Sequence, residues 1–131
     1  MTHHYHAIVW IDHTEAKIFH FNVEHAEKAV VRAHQPMRQI HHKANSIGSG
    51  HATENQTYYH AVANEIADAG QVLITGPANA KTELLKHIEH HDAHLLPKIA
   101  GVEALDHPSD GELLAHARKY FKAADWMTNP G

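Results

Sequence analysis

Tyr5-His6-Ala7-Ile8-Val9-Trp10-Ile11 runs into Asp12-His13-Thr14-Glu15 and then Ala16-Lys17-Ile18-Phe19-His20-Phe21-Asn22-Val23. The first run ends apolar at successive positions, which suits a central strand covered on both faces. Asp12 to Glu15 are turn residues. From Ala16 the chain alternates, with Lys17, Phe19, Phe21 and Val23 on one side and Ala16, Ile18, His20 and Asn22 on the other. A period of two is that of a strand, so the two runs form a hairpin. Lys28 to Ala33 reads as a weaker third strand.

Beyond it, residues 34–56 hold no period and contain Pro36, His41-His42-Lys43 and Asn45-Ser46-Ile47-Gly48-Ser49-Gly50-His51. A stretch of that length is expected to be a mobile or functional loop. Thr53-Glu54-Asn55-Gln56 has the form of a capping box and predicts a helix start. Tyr58, Tyr59, Val62, Ala63, Ile66 and Ala67 make its buried stripe, and Gly70 stops it. Val72-Leu73-Ile74 is a short apolar strand ended by Gly76-Pro77. A second helix is expected from about Asn79, with Leu84, Leu85 and Ile88 inward, finishing before Pro97. Ile99 to Leu105 reads as an edge strand. Ser109-Asp110-Gly111-Glu112 is another capping box, opening a helix that buries Leu113, Leu114, Ala117, Tyr120, Phe121 and Ala124.

The order is β-β-β-α-β-α-β-α, with no internal repeat and no linker, so residues 1–131 form a single domain. Consecutive strands pair antiparallel, whereas strand–helix–strand units need parallel, right-handed crossovers. With Tyr5–Ile11 and Val72–Ile74 side by side in the middle, the sheet is α/β, mixed and five-stranded in the order 3-2-1-4-5. Helices on both faces make it a three-layer, ribonuclease H-like domain.

Composition narrows the chemistry. There is no cysteine, which excludes disulfides, thiolate catalysis and Cys-based metal sites. The N-terminus lacks the basic and apolar regions of a signal peptide, and no run approaches the ~18 apolar residues of a membrane helix. The expectation is a soluble cytoplasmic protein with no membrane partner. The formal charge is −4 with histidine neutral, but the 17 histidines would carry it to +13 if all were protonated. The sign therefore reverses within a modest acid shift.

Several stretches together resemble a known group. They are Ile8 to Phe19, Val72-Leu73-Ile74-Thr75-Gly76-Pro77 with Lys81 following, Val102 to Leu105, Asp106-His107-Pro108-Ser109-Asp110-Gly111-Glu112-Leu113-Leu114, and Ala117-Arg118-Lys119-Tyr120-Phe121. The chain is similar to the small bacterial translational machinery proteins, distant relatives of the middle domain of archaeal and eukaryotic peptide-chain release factors. That resemblance implies a translation-related accessory protein that contacts the ribosome or RNA. In release factors the corresponding loop carries Gly-Gly-Gln, the motif of peptidyl-tRNA hydrolysis. Here the loop offers Gly48-Ser49-Gly50, and the next glutamine is Gln56. The resemblance thus points to a non-enzymatic role, with His41, His42, Lys43, Ser46, Gly48, Ser49, Gly50 and His51 as the contact residues.

Other constellations carry weaker chemistry. Asp12, Glu65 and Asp106 are the carboxylates a two-metal nuclease would need, but Asp12 reads as a turn residue and Asp106 as a loop cap. Gly76-Pro77-Ala78-Asn79-Ala80-Lys81-Thr82 imitates a phosphate loop with Ala80 in place of its second glycine, and Asn79 reads better as a helix cap. His87, His90 and His94 share one face of a continuous helix and could hold Zn²⁺ or Ni²⁺, while His91 reads as covering Leu84 and Ile88. No resident cofactor is otherwise expected. Arg118, Lys119 and Lys122 read as a solvated basic face. The alternatives to an RNA-contacting protein are a hydrolase of RNA or ester-linked nucleic acid using the loop histidines as general base, and a histidine-rich metal-binding or homo-oligomeric scaffold.

Overall fold

The structure is a computed structural model that describes residues 6–33 and 50–128, the latter with side chains from 55 to 122. Its elements are β1 (His6–Ile11), β2 (Glu15–Phe21), β3 (Ala26–Arg32), α1 (Gly50–Ile66), β4 (Gln71–Gly76), α2 (Ala80–His91), a 3-10 helix (Ala93–Lys98), β5 (Ile99–Ala104) and α3 (Asp110–Thr128). The five strands form one sheet in the order β3-β2-β1-β4-β5. β1–β2 and β2–β3 pair antiparallel, and β1–β4 and β4–β5 pair parallel. The α/β class, the mixed sheet and its strand order are as the sequence predicts.

Two-sided burial of β1 explains the layers. Ala7, Val9 and Ile11 face one way, with Ala16, Ile18, Val72 and Ile74, and pack under Tyr58, Tyr59, Val62 and Ile66 of α1 and Leu84 and Ile88 of α2. Ile8 and Trp10 face the other way, with Phe19, Phe21 and Leu73, under Leu113, Ala117 and Phe121 of α3. Two helices therefore cover one face and α3 covers the other.

Two boundaries differ from the expectation. α1 begins at Gly50 rather than near Thr53, so Thr53 to Gln56 lie inside a helix and do not cap it. The expected loop at 34–56 accordingly loses its last seven residues to α1, and residues 34–49 lie outside the described ones. α2 ends at His91, because Asp92 leaves the helical region (φ −136°, ψ 46°) and a 3-10 helix containing Pro97 takes over. The Ser109 capping box is present as predicted: the Ser109 amide donates to Glu112 Oε1 at 2.9 Å, and the Glu112 amide to Ser109 Oγ at 3.2 Å.

Candidate functional site

The carboxyl-terminal rim of β1 and β4 is where the chain gathers its turns. Asp12 closes the β1–β2 turn, its Oδ1 accepting from the Thr14 amide (2.8 Å), the Thr14 hydroxyl (2.9 Å) and the Glu15 amide (2.9 Å). Partial burial pushes its pKa up, but those hydrogen bonds prevail and hold the carboxyl below its ordinary value. Asp12 is thus committed to a turn, Glu65 is exposed on α1, and Asp106 is exposed beside His107. These three do not form a metal cluster among the described residues. Asn79 stands at the N-cap of α2 without a side-chain cap bond, because its backbone is already helical. Asn79 thus occupies the cap position that the sequence predicts, without a side-chain bond to the helix.

The same rim holds both flanks of residues 34–49. On one side, the Ala33 amide donates to the Thr14 carbonyl at 2.9 Å. On the other, the Tyr58 hydroxyl donates to the Asp12 carbonyl at 2.8 Å. α1 runs from this rim back towards the start of β4, with Gly50 about 12 Å along the axis from Tyr58. Of the expected contact residues, His41, His42, Lys43, Ser46, Gly48 and Ser49 lie outside the described residues. Gly50 opens α1 and His51 is in its first turn.

A second grouping forms where α1 meets the end of α2. His60 of α1, His87 of α2 and Asp92, the C-cap of α2, bring one donor atom each within 4.8 Å of the others, the one such group of three among the described residues. His87 Nε2 is 3.2 Å from Asp92 Oδ2, and His60 Nδ1 is 3.7 Å from the same oxygen. His87 Nδ1 lies 2.6 Å from Gln56 Oε1. The His87 side chain is 4% exposed, against 57% for His60. Burial lowers the His87 pKa, and neighbouring His91 and His60 lower it further, with Asp92 opposing.

Of the three histidines the sequence nominated, the structure brings His87 to this cluster and leaves His90 and His94 exposed outside it. His91 is exposed too, its ring 4.7 Å from that of His87. Sequence reading passed over His60 and Asp92, since nothing local marks them, and took Gln56 for a capping residue. Arg118 is not simply solvated: its guanidinium donates to the carbonyls of Asn22 and His25 in the β2–β3 turn. Lys119 and Lys122 are exposed.

No protein-family model matches the chain, and no curated protein matches it. Solved structures do. Pelota from Archaeoglobus fulgidus superposes with a TM-score of 0.60 at 11% identity, covering 87% of this chain and 30% of that one. The fold is one that Pelota contains. Pelota from Thermoplasma acidophilum gives 0.57 at 15% identity, over 84% of this chain and 30% of that one. An archaeal translation termination factor gives 0.58 at 16% identity, over 94% and 39%. The chain spans 30% to 39% of the length of the chains it resembles, so the likeness is to part of each. Among the described residues, no helix is long and apolar enough to cross a membrane.

Proposed function

We propose that this protein is a non-enzymatic, cytoplasmic accessory factor of translation that contacts the ribosome or RNA through residues 34–56. The observation that carries the reading is the fold shared with an archaeal translation termination factor over 94% of the chain. The described chain on either side supports it, because Ala33 and Tyr58 are both hydrogen-bonded to the β1–β2 turn at one rim of the sheet. His41, His42, Lys43 and His51 supply groups that bind phosphate, and Ser46 and Ser49 supply hydroxyl donors. Gly48, Ser49 and Gly50 let backbone come close to a partner. The sequence has no Gly-Gly-Gln anywhere, so the segment binds without cleaving peptidyl-tRNA.

Sedimentation of the native protein through a sucrose gradient of cell lysate tests this reading. Co-migration with ribosomal particles, abolished when Gly48, Ser49 and Gly50 are replaced, is the expected result. A protein that stays at the top of the gradient from both growing and starved cells refutes it.

A further inference from the structure

We propose that His60, His87 and Asp92 form a binding site for a divalent transition-metal ion of the zinc type, which ties α1 to the end of α2. Distances come first. Zinc bonded to nitrogen and oxygen at ~2.0–2.1 Å in a tetrahedron has its donor atoms about 3.3 Å apart. The His87 Nε2–Asp92 Oδ2 and His60 Nδ1–Asp92 Oδ2 separations of 3.2 and 3.7 Å bracket that value.

Unmet bonding comes second. His87 Nε2 and Asp92 Oδ2 are both buried and 3.2 Å apart, and with the ring proton directed to Gln56 they face each other as two acceptors with no donor between them. Buried polar atoms without partners are costly and rare in folded proteins. A cation between them satisfies both.

The surroundings prepare His87 as a ligand. With Gln56 Oε1 accepting from Nδ1–H at 2.6 Å, the ring proton sits on Nδ1 and Nε2 turns its lone pair inward. Tyr59 and His91 flank the ring and limit its rotation. Asp92, having left the helical conformation, returns its carboxylate towards His87. His60 is solvent-exposed, which opens a path for the ion and a fourth position for water. Two imidazoles and one carboxylate suit Zn²⁺, and not the all-oxygen shells of Mg²⁺ or Ca²⁺.

The test is calorimetric titration of Zn²⁺ into the full-length, untagged, chelator-stripped protein, with far-UV circular dichroism to check that each variant is folded. The wild type is expected to bind one equivalent more tightly than the remaining histidines, with a rise in Tm. His60→Ala, at an exposed position outside the core, and Asp92→Asn each weaken that equivalent by about tenfold or more. The double variant His90→Ala, His94→Ala retains it. Binding that persists unchanged in folded His60→Ala and Asp92→Asn, or that disappears in the His90, His94 double variant, overturns the proposal. Absence of any saturable equivalent in the wild type, which would leave His87 and Asp92 as an ion pair alone, overturns it equally.

Discussion

A Cβ at Gly76 would fall 2.2 Å from the main-chain oxygen of Ile11. β1 and β4 therefore converge at the rim more closely than any side chain allows. The contact is backbone on one side, so it cannot be relieved by a rotamer change. Gly76 also accepts from the Leu105 amide at 3.0 Å, which ties the exit of β5 to the same point. Gly76→Ala should cost about 3 kcal/mol or more, the upper range for forcing extra atoms into a packed site. Urea midpoints measure this directly, and a loss below about 0.5 kcal/mol, typical of an unconstrained surface position, would show that the strands separate freely.

Trp10 fastens the β5–α3 connection. Its indole Nε1–H points at two carbonyls, Asp106 at 2.6 Å and Leu105 at 3.2 Å, and the ring is buried in the α3 layer. Trp10→Phe keeps most of the apolar body but removes the donor. The expected loss is about 1–3 kcal/mol, that of leaving a partly buried acceptor unmet. Amide exchange should also quicken between Leu105 and Ser109 while β1 stays protected. Equal acceleration throughout the sheet would mean a general packing defect.

Much of this fold was legible because its signals are local. Apolar residues on both faces of Ala7 to Ile11 and Val72 to Ile74 place those strands in the middle. Ser109 and Glu112 announce the start of α3 by their own reciprocal bonds. The start of α1 was not legible: Thr53 to Gln56 spell a capping box, yet the helix is already formed at Gly50 and Gln56 turns its amide to His87 on another helix. Of the His60, His87 and Asp92 grouping only His87 was legible. His87, His90 and His94 share a face only on a helix that continues, and Asp92 ends it. His60 comes from a different helix, so only tertiary packing brings it in.

Asp110, at the start of α3, receives Lys28 of β3 at 2.7 Å and Lys17 of β2 at 3.7 Å. The Lys28 hydrogen bond is the main reason its carboxyl titrates below the ordinary value. A depressed carboxyl stabilises the fold above its unfolded pKa near ~3.9, and that contribution is lost as pH falls through the folded value. Because Asp110 is 43% exposed, screening limits the contribution to about 1 kcal/mol at most. Asp110→Asn should therefore be slightly less stable than wild type at neutral pH, and the two should converge in acid. Denaturation at both pH values in low salt measures the gap. A gap that survives in acid would assign it to packing or capping and not to the ion pair.

Binding to RNA by a chain of formal charge −4 has to come from a local patch, and the patch proposed here is mostly histidine: His41, His42 and His51 beside Lys43. Protonation of imidazole adds positive charge on the acid side of neutrality, so affinity should rise from about pH 8 to about pH 6. Phosphate contacts release counterions, so affinity should fall steeply between ~50 and ~200 mM salt, by about 0.7 in log–log slope for each contact to single-stranded RNA. The two dependences are separable. Lys43→Ala should lower the salt slope at either pH, whereas replacing His41 and His42 with alanine should flatten the pH response and leave the slope at about pH 8 nearly unchanged. Pelleting with purified ribosomes over this grid of salt and pH reads both. A pH response that persists without His41 and His42 would move the switch to the remaining histidines, among them His34 and His51 of the same stretch.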